Sequence, residues 1–137
     1  MKLQIFYDNT PYKLRKWRKI KELVDDIIKS EGKATGDISF IITSDDYLRN
    51  VNKEFLNHDY FTDVISFNYG FDNTVAGEIY ISEDTVRRNS IEYNVDLDNE
   101  MLRVMIHGVL HLAGYNDATD EEKQEMKRLE DKWIVTI

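Results

Sequence analysis

Two of the three histidines, His107 and His111, stand four residues apart in a segment whose apolar residues recur with helical spacing. On a helix both imidazoles leave the same face, so they can share one metal ion. Gly114 then suits a left-handed helix end, and Tyr115-Asn116-Asp117 can turn back and bring the Asp117 carboxylate toward the pair. Two nitrogen donors, one oxygen donor and room left for water make the kind of open site that metal catalysis requires. The chain has no cysteine, which excludes thiolate metal sites, iron-sulfur clusters, disulfides and cysteine nucleophiles. The competing reading is two imidazoles that merely align, because a bare HxxxH also arises by chance.

Metallopeptidases with a similar pair place a glutamate base directly after the first histidine. Here that position is Gly108, which can neither take nor give a proton, so the usual peptidase mechanism is excluded. Gly108 would serve either close approach of a substrate to the metal or tight helix packing. His58 lies in the polar run Asn57-His58-Asp59-Tyr60. With an ordinary pKa near ~6.5 it suits a substrate contact or a proton shuttle, or is simply an exposed loop residue.

The elements that must position these residues follow from periodicity and capping. Residues 2–7 read as a strand. Thr10 and Pro11 supply an N-cap and a first helical residue, predicting a helix whose Leu14, Trp17, Ile20, Val24 and Ile27 or Ile28 share a face up to Gly32. The run 37–43 is β-branched and aromatic, as a buried strand is. Ser44-Asp45-Asp46 caps a helix carrying Leu48, Val51 and Phe55. Strands are predicted at 63–68 and 77–82, with Ser82 capping a helix over 83–93. The histidine helix should span 97–112. Thr119 with Glu122 forms a capping box for a last helix bearing Met126, Leu129 and Trp133. The expected fold is one α+β domain over residues 1–137, a mixed sheet of about four strands covered by helices.

Composition bounds the partners. Eighteen Lys plus Arg against 26 Asp plus Glu leave a net charge of -8, which opposes broad electrostatic coating of a polyanion. The basic residues cluster between Lys13 and Lys21, as a solvated helix face or as a local phosphate contact. One proline and six glycines leave little room for a disordered linker. With no cleavable apolar leader and no apolar run of the ~18 residues that a membrane span needs, no membrane partner is expected and the compartment is read as cytoplasmic.

The run His107-Gly108-Val109-Leu110-His111-Leu112-Ala113-Gly114-Tyr115-Asn116-Asp117 resembles the H-G-x-L-H-L-x-G-Y-D-H signature of the YbeY family of rRNA maturation factors. Thr62-Asp63-Val64-Ile65-Ser66-Phe67 resembles the family's T-D-V-L-S-F strand, and Gly77-Glu78-Ile79-Tyr80-Ile81-Ser82 its G-D-I-x-I-S strand, in the same order. The resemblance implies a zincin-like arrangement and a metal-dependent endoribonuclease that uses one divalent metal, with Zn2+ the expected ion. It implies ribosomal RNA and ribosomal particles as partners, with no DNA expected. A non-catalytic RNA-binding assembly factor with a structural metal is the alternative.

Two positions depart from the family pattern. Asp117 stands at the third histidine and Asn116 at the aspartate before it. A carboxylate still ligates zinc, but its charge lowers the Lewis acidity of the metal and favours harder ions. Leu56 closes Asn52-Lys53-Glu54-Phe55-Leu56 where the family has an arginine, and a leucine cannot clamp a phosphate. Lys53, Arg87, Arg88 or Arg103 would have to supply positive charge instead.

Overall fold

The computed structural model describes residues 2–56 and 63–137. Strand β1 (Lys2–Tyr7) leads through helix α1 (Trp17–Ser30) to β2 (Ala34–Thr43), then come α2 (Asp45–Leu56), β3 (Val64–Asn68), β4 (Thr74–Ser82), α3 (Glu83–Glu92), α4 (Leu97–Leu112) and α5 (Asp120–Ile134). The four strands form one mixed sheet in the order β1-β2-β4-β3. β1 and β4 run parallel to β2, while β3 lies antiparallel to β4. None of the described helices is long and apolar enough to cross a membrane.

Strand alternation sends side chains to two faces. Phe40, Ile42, Ile79 and Ile81 are wholly buried in a core shared with α1, α4 and α5, and Ile65, Phe67 and Tyr80 meet Leu48 and Val51 of α2 in a separate cluster. The sheet therefore has a thick side and a thin side.

Helix α4 is the hub of the thick side. Its apolar residues are buried nearly all round, as in a helix enclosed by other elements. Gly108 accounts for part of that enclosure. A Cβ there would stand 2.7 Å from Ile79 Cγ2, so of the two roles open to Gly108 the structure supports tight packing of α4 on β4.

The first helix departs from expectation. It begins at Trp17, and Thr10 does not cap it. Thr10 Oγ1 instead accepts from the Tyr12 backbone N–H (3.2 Å), and the buried Tyr12 donates its hydroxyl to Asp98 of α4 (2.6 Å). The Leu14 N–H donates to the Tyr7 hydroxyl (2.8 Å), and Lys16 takes a left-handed φ of 64°. These contacts hold residues 10–16 out of the helix against their local preference.

Candidate metal centre

The histidine helix spans Leu97–Leu112, the predicted bounds, and its end places the site. Gly114 takes φ +112°, its N–H donates to the His111 carbonyl, and the Tyr115 N–H donates to the Leu110 carbonyl. This pair of bonds is a Schellman ending, which lets the chain reverse within one residue. Lys33 donates to the Ala113 carbonyl. The Thr119 and Glu122 capping box then starts α5. Asp117 is held in a short turn pinned on both sides.

The three residues singled out by spacing lie together. His107 Nε2 and His111 Nε2 are 3.0 Å apart, and the Asp117 carboxylate oxygens lie 3.4 Å from the first and 3.5 Å from the second. Donors bound at ~2.0–2.1 Å in a tetrahedral shell stand about 3.3 Å apart, so this set could hold a single cation with little adjustment. Each of the three side chains is partly exposed, which leaves the shared point open to solvent.

A fourth residue, not recognised from sequence, completes the arrangement. Glu130 of α5 is buried and its Oε2 lies 2.7 Å from His107 Nδ1. With Nδ1 donating, the His107 Nε2 lone pair faces His111 and Asp117, the orientation a ligand needs. Arg103, one turn before His107, pairs with Glu130 (3.3 Å) and with Asp131 (2.8 Å). Burial acts to lower the His107 pKa, but the Glu130 hydrogen bond and the charges of Glu130, Asp117 and Asp63 outweigh it, and the net shift is upward. A carboxylate on the apolar stripe of Met126 and Leu129 was the available sequence signal for Glu130.

Two hollows meet at His107 and Asp117. One, about 500 Å³, lies between α4, β3 and the end of α2, where Asn52, Leu56, Asp63, Ser66 and Asn68 line it. Asp63 is its only titratable group besides the three candidate ligands among the described residues. Burial raises the Asp63 carboxyl above the ordinary range, against the pull of His107 and of the Asp63 and Val64 backbone N–H groups. Ser66 Oγ is buried there without a hydrogen-bond partner among the described residues. Leu56 is part of this wall, so the departure from the family pattern falls inside the site.

The other hollow, about 530 Å³, lies between α4, α5 and the α3–α4 connection, and includes Arg103, Lys123 and Lys127. Of the four cations proposed to replace an arginine at position 56, only Arg103 lines a hollow that reaches His107. Arg87 pairs with Glu83, Arg88 with Asp45, and Lys53 lines a separate surface hollow with Asp46. In the basic cluster of residues 13–21, Arg15 pairs with Asp98 (2.8 Å), and Lys13 and Lys21 lie over the rings of Tyr7 and Trp17. His58 and Thr62 lie outside the described residues.

Comparison with known proteins agrees with the motif. The chain is 40% identical over 129 residues to a Christiangramia forsetii protein named Endoribonuclease YbeY, covering 94% of this chain and 90% of that one. It is 45% identical over 109 residues to a Flavobacterium psychrophilum protein of the same name, covering 80% and 78%. A Thermotoga maritima protein solved in solution superposes with a TM-score of 0.68 at 32% identity, over 96% of this chain and 86% of that one. The family described as Endoribonuclease YbeY matches residues 6–137, nearly the whole sequence including both strand motifs and the histidine turn, and the chain belongs to that family.

Proposed function

We propose that this protein, as one metallohydrolase domain, is a metal-dependent endoribonuclease acting in ribosomal RNA maturation, with a single divalent cation held by His107, His111 and Asp117. The observation that carries the reading is the convergence of three donor atoms at 3.0–3.5 Å on a point open to two hollows. Held by these residues, a cation would supply Lewis-acid polarisation of a phosphoryl oxygen and would lower the pKa of water. Zn2+ suits two imidazoles and a carboxylate, and the carboxylate also admits harder ions.

The residues around that point divide the remaining work. Glu130 holds His107 in one tautomer. Asp63, the other titratable group of the α2–β3 hollow, is the candidate to accept a proton from water or return one to the leaving oxygen. Ser66 Oγ, which has no hydrogen-bond partner among the described residues, is the candidate to bond a ribose or base edge, and His58 is retained as a further candidate substrate contact. Ribosomal particles as the place of action and the cytoplasm as the compartment belong to the same proposal.

The alternative, an RNA-binding factor with a metal bracing the Gly114 turn, is disfavoured because that turn is already held by the Schellman bonds and by Lys33. Metal content and cleavage of a structured ribosomal RNA fragment, measured on wild type and His111→Ala, test the proposal. Stoichiometric metal and cleavage in wild type, both lost in the variant, are expected. Metal retained with no cleavage by wild type would favour the structural role.

A further inference from the structure

Buried residues enclose α4 on nearly every side, and from its second residue onward the strip that stays open to solvent is Asp98-Asn99, Arg103, His107 and His111. Residues at i, i+4, i+8 and i+12 lie one above another along a helix. The strip therefore runs from the candidate metal pair back along α4, about 12 Å from His107 to Asn99 at 1.5 Å per residue. Asn99, Arg103 and His107 of this strip form the floor of the α4–α5 hollow, with the carboxylates of Glu100, Asp117 and Glu130 beside them, and its other sides are the α3–α4 connection and the face of α5 that carries Lys123 and Lys127.

The charges on that α5 face differ from the other cations near the site. Arg103 is engaged by Glu130 and Asp131, and Arg128, farther round α5, by Glu125. Lys123 and Lys127 are exposed and make no ion pair among the described residues. They stand at i and i+4, so their Cβ atoms are about 5–6 Å apart along one wall and each ammonium can meet a different phosphate. Tyr93, 61% exposed, lines the same hollow and offers an aromatic face to a base. The α2–β3 hollow, by contrast, has no Lys or Arg among its described lining residues.

We propose that the α4–α5 hollow is the track by which a single RNA strand reaches the metal centre, with Lys123 and Lys127 on successive phosphates and Tyr93 under a base. The proposal rests on the endoribonuclease reading for the identity of the strand. It places the missing positive charge on α5, across the site from Leu56.

The test separates binding from chemistry. Binding of a fluorescent, unstructured oligouridylate to chelated protein is measured for wild type, for Lys123→Gln with Lys127→Gln, for Tyr93→Leu, and for Lys19→Gln with Lys21→Gln on α1 as control. The Lys123 and Lys127 double variant should bind about tenfold more weakly, and the slope of log affinity against log salt should shrink by about 1.4, the share of two phosphates on a single strand. Tyr93→Leu should weaken binding about fivefold or more, and the α1 control should match wild type. With metal supplied, the double variant should raise KM and leave kcat nearly unchanged.

If wild type cleaves RNA and the double variant binds and cleaves as well as wild type, the track is wrong and the nuclease reading stands. If the double variant loses binding but wild type cleaves nothing with any divalent metal, the track stands and the nuclease reading falls. No binding of the oligouridylate by wild type overturns the track, and the nuclease reading then stands or falls on cleavage alone.

Discussion

The two hollows that meet at His107 and Asp117 are nearly equal in size, about 500 and 530 Å³, and opposite in character. The α2–β3 side presents amides, a hydroxyl and the buried carboxyl of Asp63. The α4–α5 side presents Lys123 and Lys127 on its α5 wall, with Arg103 beside the carboxylates of Glu100 and Glu130 beneath them. A phosphodiester lying across the proposed metal would have the proposed proton-transfer and base-recognition groups on one side and the α5 lysines on the other. A chain with net charge -8 can thus act on a polyanion, because the charge that matters is local.

Removing the centre common to both sides should have the largest effect. His111→Ala takes away a proposed ligand and is expected to lower RNA cleavage about a thousandfold or more, as loss of several kcal/mol of transition-state stabilisation does. Circular dichroism should show the variant, and the chelated wild type, still folded, because the core of Phe40, Ile42, Ile79, Ile81 and Met105 closes without metal. Unfolding on mild chelation would instead make the metal structural.

Next in size is the carboxyl on the uncharged side. Asp63→Asn should reduce kcat about 10²- to 10³-fold, within the range of general acid-base contributions, and flatten one limb of the pH-rate profile. Stability gives an independent readout. Because the Asp63 pKa is raised in the folded protein, its stabilising protonated form is fully present only below the unfolded value near ~3.9, and stability is lost as pH rises from there through the folded pKa. Chelated Asp63→Asn should therefore melt higher than chelated wild type at pH 7, with the gain vanishing near about pH 4. Equal melting temperatures at pH 7 would show that the carboxyl is not held against its charge.

Glu130→Gln tests the support beneath the ligands. A carboxylate behind a metal-binding histidine is typically worth about 10- to 100-fold in metal affinity, and competition with a chelating dye should find a loss of that order. NMR of His107 should show a mixed tautomer in the variant, whereas an unchanged Nδ1–H signal would remove Glu130 from its orienting role. The smallest expected change comes from Leu56→Arg, which gives the uncharged side a cation. Single-turnover cleavage at fixed salt should change little, because the α5 lysines already supply the needed charge. A rise of about tenfold, the scale of one charge-assisted contact, would mean that they do not.

The features legible in the sequence are those whose physics is local. The bounds of α4, the shared face of His107 and His111, the Gly114 ending, the Ser82 cap and the Thr119–Glu122 box each depend on residues within about one turn of each other, and all are present. The four strands likewise fall on the segments predicted for them, three of them rich in β-branched and aromatic residues. β2 and β4 reach farther back, to Ala34 and Thr74, because each supplies the other's ladder partners there.

What only the tertiary structure decided are the pairings between distant residues. The start of α1 moved to Trp17 because Tyr12 bonds Asp98, 86 residues away. Glu130 reaches His107 across 23 residues, Asp63 enters the cavity from β3's leading end, and among the described residues the unpaired cations lining the site are Lys123 and Lys127, with Arg87, Arg88 and Arg103 already engaged. Residue type sets what a side chain can do, and helical spacing sets which near neighbours it meets. Whether a charge is paired, buried or left facing a substrate depends on how α2, β3 and α5 pack around α4, and no short stretch of sequence contains that information.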